Sequence, residues 1–127
     1  MAQNYETTLL VPDLDRSVTF YEEVMNLSLT DRRGSRAEFD TGECALVLEG
    51  GLSEQTLAAY GLEKVYDGPC HGVLISLEYD TIDPVYERVK DHDNAEILIE
   101  PRTSPWDERL FLMTDPDGYV LDVAEPI

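Results

Sequence analysis

Phe20-Tyr21-Glu22-Glu23-Val24 recurs sixty-five positions later as Val85-Tyr86-Glu87-Arg88-Val89, and this echo decides the fold. Each pentapeptide follows an apolar run and an Asp-bearing turn. Thr7-Thr8-Leu9-Leu10-Val11 leads into Pro12-Asp13, and Val73-Leu74-Ile75-Ser76-Leu77 leads into Glu78-Tyr79-Asp80. Asp13 or Asp15 is placed to cap the first helix, and Asp80 or Thr81 the second, because their side-chain oxygens accept free amide hydrogens of a first turn. Val18, Tyr21, Val24 and Met25 then form one apolar stripe, and Ile82, Val85, Tyr86 and Val89 form its counterpart.

Three short strand-like runs follow each helix. In the first half they are Leu27–Thr30, Ala37–Asp40 and Ala45–Glu49; in the second, Ile97–Glu100, Leu110–Thr114 and Tyr119–Ala124. Asp115-Pro116-Asp117-Gly118 joins the last two, with Pro and Gly where a type I turn wants them. Each half therefore reads as one strand, one helix and three strands. Such a βαβββ module has an apolar sheet face that it cannot cover alone, so two copies are expected to join. The predicted fold class is α+β, with module 1 at about 4–50, module 2 at about 71–127 and a connecting segment at 51–70. Within that segment Ser53 to Leu62 predicts a short helix with Ser53 as N-cap. The segment is either a linker or a lid with Tyr60 or Leu57 as its contact residue.

Composition bounds the partners. The 127 residues carry 27 Asp+Glu against 9 Lys+Arg, a formal charge of −18, and the pI is near 4.1. An acidic surface without a basic patch excludes nucleic acid and anionic lipid as partners. The carboxylates are spread along the chain as a solvated coat, whose self-repulsion is relieved once molar salt shrinks the Debye length to about 3 Å. This predicts a salt-adapted, halophilic protein. No apolar run reaches the roughly 18–20 residues of a membrane span, and the start Met1-Ala2-Gln3-Asn4-Tyr5-Glu6 has neither a basic segment nor an apolar signal core, so a cytoplasmic protein is expected. Cys44 and Cys70 lack a CxxC spacing and read as thiols. Ser17, Ser53 and Ser104 lack a Gly-x-Ser-x-Gly context, and no Gly-rich phosphate loop is present.

The stretches Leu9-Leu10-Val11-Pro12-Asp13-Leu14-Asp15-Arg16-Ser17-Val18-Thr19-Phe20-Tyr21, Pro105-Trp106-Asp107-Glu108-Arg109 and Asp115-Pro116-Asp117-Gly118-Tyr119-Val120-Leu121-Asp122 resemble the vicinal oxygen chelate superfamily. That superfamily contains glyoxalase I, bleomycin-resistance proteins and extradiol dioxygenases. The resemblance implies paired βαβββ modules forming curled mixed sheets around a cavity, and a homodimer. It also implies, in metal-using members, ligands on the first and last strand of each module. Carried over one at a time, those positions fall on Glu6, Val47, Gly72 and Asp122. Glu6 and Asp122 can ligate; Val47 and Gly72 cannot. His71, beside Gly72, reaches the cavity only if a one-residue bulge reverses the alternation.

The resemblance thus implies a small-molecule binder in the cavity, without the full four-ligand metal site and with no cofactor. The alternative is a metal-dependent lyase, isomerase or dioxygenase. It would use Glu6, Asp122 and His71 on a divalent ion such as Mg²⁺, Mn²⁺, Ni²⁺, Zn²⁺ or Fe²⁺. A third reading is a dimeric scaffold. Without metal, Glu6 or Asp122 acts as a general base, or both bind a cationic or hydrogen-bonding ligand. Trp106, Tyr60 and Tyr119 would supply stacking surface. Arg109 falls where many members have Trp-Gly-x-Arg, here with Asp107 in place of Gly; it either holds a substrate carboxylate or pairs with one of the chain's own.

Overall fold

The computed structural model describes residues 2–67, 72–105 and 107–126. Two compact units divide the chain, Met1–Asp67 and Gly68–Ile127. Each holds an open four-stranded mixed sheet with few helices, and the fold is α+β with βαβββ modules.

In the first unit, strand β1 (Glu6–Val11) leads into α1 (Leu14–Thr19), followed by β2 (Ser28–Arg33), β3 (Arg36–Asp40), β4 (Ala45–Gly50) and the short helix α2 (Glu54–Ala59). The sheet order is β1-β4-β3-β2, with β1 and β4 parallel and the other pairs antiparallel. Asp13 caps α1 by accepting from the Arg16 amide. The helix does not end at Thr19 but widens into a π turn over Phe20–Val24, in which the Met25 amide reaches back to the Phe20 carbonyl. That extra residue turns Phe20 inward beside Tyr21, so both are buried and Val24 is only half-buried. The stripe expected at regular helical spacing is shifted accordingly. Tyr21 meets Phe39 of β3 with ring centroids 6.1 Å apart, and Leu9, Val11, Leu46, Leu48 and Ala37 complete the face under α1. Ser53 caps α2 as expected, accepting from the Thr56 amide.

The second unit repeats the plan with β5 (Ile75–Glu78), α3 (Asp83–Lys90), β6 (Glu96–Thr103), β7 (Glu108–Thr114) and β8 (Val120–Pro126), in the order β5-β8-β7-β6. Its core places Tyr86 against Phe111 at 5.3 Å, edge to face, with Leu77, Ile82, Val85, Val89, Met113, Leu121 and Val123 buried. Neither Asp80 nor Thr81 caps α3. The helix starts at Asp83 with Pro84 in its first turn, and Glu125 of β8 accepts from the Ile82 amide instead. β5 is shorter than the run Val73–Leu77 suggested; Val73 and Leu74 precede it and are exposed. Pro101 sits in β6 because β6 is an edge strand with two register shifts, where a missing amide hydrogen is tolerated. The Asp115–Gly118 turn forms as read: the Gly118 amide bonds the Asp115 carbonyl, and the Asp115 carboxylate accepts from the Asp117 and Tyr119 amides.

Candidate functional site

Strand alternation sorts the candidate residues by face. In the first unit Leu9 and Val11 point toward α1, so Glu6, Thr8 and Leu10 point away from it. The register pairs Thr8 with Val47 and Glu38 with Val47, which puts Val47 of β4 between β1 and β3 on that same face. Arg36 starts β3 and reaches across β4 to Glu6. Its Nη2 lies 3.2 Å from Glu6 Oε1 and its Nη1 3.4 Å from Glu6 Oε2, while Nη2 also lies 3.4 Å from Glu38 Oε1. Thr8 donates a further hydrogen bond to Glu6 Oε2 at 3.0 Å.

These donors have a chemical consequence. The hydrogen bond from Arg36, followed by that from Thr8, lowers the Glu6 pKa below its ordinary value of 4.5. A carboxylate held low is a weaker base, so Glu6 suits charge pairing better than proton abstraction. The sequence reading missed Arg36. Arg36 lies one residue before the predicted strand Ala37–Asp40, and its contact with Glu6 depends on β1 and β3 flanking β4.

Asp122 occupies the matching face of the second unit. Leu121 and Val123 face α3; Asp122 points the other way, paired across parallel β5 with Ser76 and across antiparallel β7 with Leu112. The Ser76 hydroxyl donates to Asp122 Oδ2 at 3.2 Å. Asp122 Oδ1 is buried and has no hydrogen-bond partner among the described residues. The two units thus carry the same parallel pair, Thr8 beside Val47 and Ser76 beside Asp122. Counting back two residues from Ser76, as Glu6 precedes Thr8, arrives at exposed Leu74. Gly72 lies before β5, with a φ of 84°.

Arg109 stands on the α3 side of β7. Its Nη2 pairs with Asp83 at 3.0 Å and its Nη1 with Glu125 at 3.0 Å, so the chain's own carboxylates occupy the guanidinium. Tyr60 ends α2 and is 77% exposed. Leu57, in contrast, is buried. Tyr119 closes the β7–β8 turn through its backbone. His71 and Trp106 lie outside the described residues. Asp107, where many superfamily members have Gly, keeps a left-handed φ of 64°. Open grooves of about 540 Å³ at the start of α1 and about 420 Å³ beside the β7–β8 turn are lined by neither Glu6 nor Asp122.

Of the positions carried over for a metal, two bear a side-chain donor among the described residues, Glu6 and Asp122. Glu6 is already held by a guanidinium, Val47 is an apolar side chain, and Leu74 follows in the second unit. Among the described residues no group of three or more His, Cys, Asp or Glu side chains is placed to hold an ion.

A sequence model described as Glyoxalase/Bleomycin resistance protein/Dioxygenase superfamily matches residues 5–123. The chain belongs to this superfamily. Solved structures similar to it include a glyoxalase-related enzyme from Fulvimarina pelagi, at 18% identity and TM-score 0.79 over 98% of this chain and 88% of that one. A glyoxalase/bleomycin resistance protein/dioxygenase family enzyme from Burkholderia phytofirmans PsJN is 15% identical, with TM-score 0.78 over 99% of this chain and all of that one (100%). A glyoxalase/bleomycin resistance protein/dioxygenase from Nocardioides is 22% identical, with TM-score 0.71 over 100% of this chain and 85% of that one. Identities this low carry the fold alone. No curated protein matches the chain. Among the described residues no helix is long and apolar enough to cross a membrane.

Proposed function

We propose that this superfamily member binds a small molecule without the four-ligand metal site of the metal-using members. One observation carries the reading: Arg36 spans Val47 to hold the Glu6 carboxylate with two nitrogens. A divalent ion at Glu6 would have to displace that guanidinium and would find no second donor at Val47. Of the four carried-over positions, one carboxylate per unit remains, Glu6 and Asp122, each on the sheet face turned away from its helix. Superfamily membership supports a small-molecule ligand, and the acidic surface favours a neutral or cationic one.

Elemental analysis of protein purified without chelator, followed by calorimetric titration with Mn²⁺, Ni²⁺ and Zn²⁺, tests this. No stoichiometric ion and no saturable heat are expected. One tightly held ion per chain overturns the reading in favour of a metal-dependent lyase, isomerase or dioxygenase. A screen of cationic drugs and 2-oxoaldehyde adducts by Trp106 fluorescence addresses binding, and silence throughout favours a scaffold.

A further inference from the structure

The segment after β4 leaves the first unit's sheet and comes back to it at one point. β4 ends at Gly50, which pairs with Val11 at the end of β1, and the Tyr66 hydroxyl donates to the Val11 carbonyl at 3.2 Å. A segment whose ends meet in this way is an Ω-loop. Its turns are held locally. Ser53 caps α2, and past the helix the Gly61 and Leu62 amides return to the Ala58 and Leu57 carbonyls, with Gly61 at a φ of 74°. The Val65 and Asp67 amides close two further turns on the Leu62 and Lys64 carbonyls.

A helix as short as α2 does not hold itself in water, because nucleation costs more than its few hydrogen bonds return. It persists only while it is docked. The structure supplies two docking groups: Leu57, the buried residue of an otherwise exposed helix, and Tyr66, through its hydrogen bond to β1. Both ends of the segment lie at the rim of the groove of about 540 Å³ at the start of α1. Gly51, where the chain leaves, lines that groove, and so does Pro12, next to the Val11 carbonyl to which Tyr66 returns.

We infer that residues 52–66 are a flap at the rim of this groove that docks and releases as one unit. Leu57 is its plug, and the Tyr66 hydroxyl on the Val11 carbonyl is its latch. The device is independent of the metal-free reading, so each fails without the other.

Amide hydrogen exchange of the full chain, read residue by residue by NMR, tests it. The Leu57, Tyr60, Gly61 and Leu62 amides, all hydrogen-bonded within the segment, are expected to share one protection factor. That factor should lie below the protection of β4, which is paired on both sides. Tyr66→Phe removes the latch and keeps the ring. It is expected to speed the four amides together by about two- to tenfold and to leave β4 unchanged. Leu57→Ala is expected to speed them by at least about tenfold. Four unrelated protection factors in the wild-type chain overturn the single unit, and this arm needs no variant to fold. Acceleration of β4 by the same factor overturns the local release, because the segment then opens only with the whole sheet. Exchange unchanged by Tyr66→Phe overturns the latch.

Discussion

Arg36 and Glu6 sit on strands that are not neighbours, and the guanidinium reaches over Val47 of β4 to meet the carboxylate with both terminal nitrogens. The bridge ties β3 to β1 on the face away from α1. It also converts a position that could ligate into an internal ion pair.

The first prediction follows from the lowered Glu6 pKa. A carboxyl whose folded pKa lies below its unfolded one adds stability at pH values above the unfolded pKa. That contribution is lost as the pH falls through the folded value. Wild type should therefore exceed Glu6→Gln in stability at neutral pH. The gap should shrink as the pH drops below 4.5 and vanish beneath the lowered pKa. Urea denaturation at a series of pH values checks this. In an Arg36→Gln background the gap should be much smaller at every pH, and a gap that widens in acid would contradict the assignment.

Asp107 supplies the second. Its φ of 64° lies in the left-handed region, where side chains other than Gly, Asn and Asp are costly. The Asp107 amide donates to the Ser104 carbonyl, which holds the turn in that shape. Asp107→Val should destabilise by about 1–2 kcal/mol. Asp107→Gly should be neutral or slightly stabilising, since its easier turn offsets its extra unfolded-state entropy. Thermal melts rank the three, and Val equal to Asp would show that the turn relaxes.

The third concerns the packing of β4 against α1. A Cβ built on Gly50 would stand 2.7 Å from Leu14 Cβ and 3.4 Å from its backbone nitrogen. The obstructing atom is fixed to the helix backbone and cannot swing aside. Gly50→Ala should therefore cost about 1–3 kcal/mol through overpacking. Leu14→Ala should not rescue it, because Ala keeps the Cβ, whereas Leu14→Gly should recover part of the loss relative to Leu14→Gly alone. Rescue by Leu14→Ala instead would place the strain farther out on the side chain.

Much of this architecture was legible because its signals are local. The paired helix stripes, Asp13 and Ser53 as caps, and the Asp115–Gly118 turn each lie within a few residues of sequence. The π turn at Phe20 was not legible, since one extra residue in a helix leaves the composition unchanged and only rotates which side chains are buried. Glu125 as the partner of the Ile82 amide was likewise hidden, forty-three residues away on another strand. The candidate positions Glu6 and Asp122 were readable from the resemblance. Their partners Arg36 and Ser76 were not, because both contacts depend on which strands lie side by side, and β1 pairs with β4 rather than with β2.

The last prediction returns to the carboxylate coat. Most of the 27 Asp and Glu side chains stand exposed, opposed by only 9 Lys and Arg. Several exposed cations are already paired, Arg32 with Asp15, Arg33 with Asp31 and Lys90 with Glu87, so the excess negative charge faces solvent uncompensated. Screening removes repulsion among the many unpaired carboxylates faster than it weakens these few exposed pairs, each worth at most about 1 kcal/mol. Tm should therefore rise from dilute buffer to molar KCl. Choline chloride at equal ionic strength should reproduce the rise if screening is the cause. A flat or falling Tm would remove the salt-adapted reading, and a rise with KCl alone would assign it to specific cation binding.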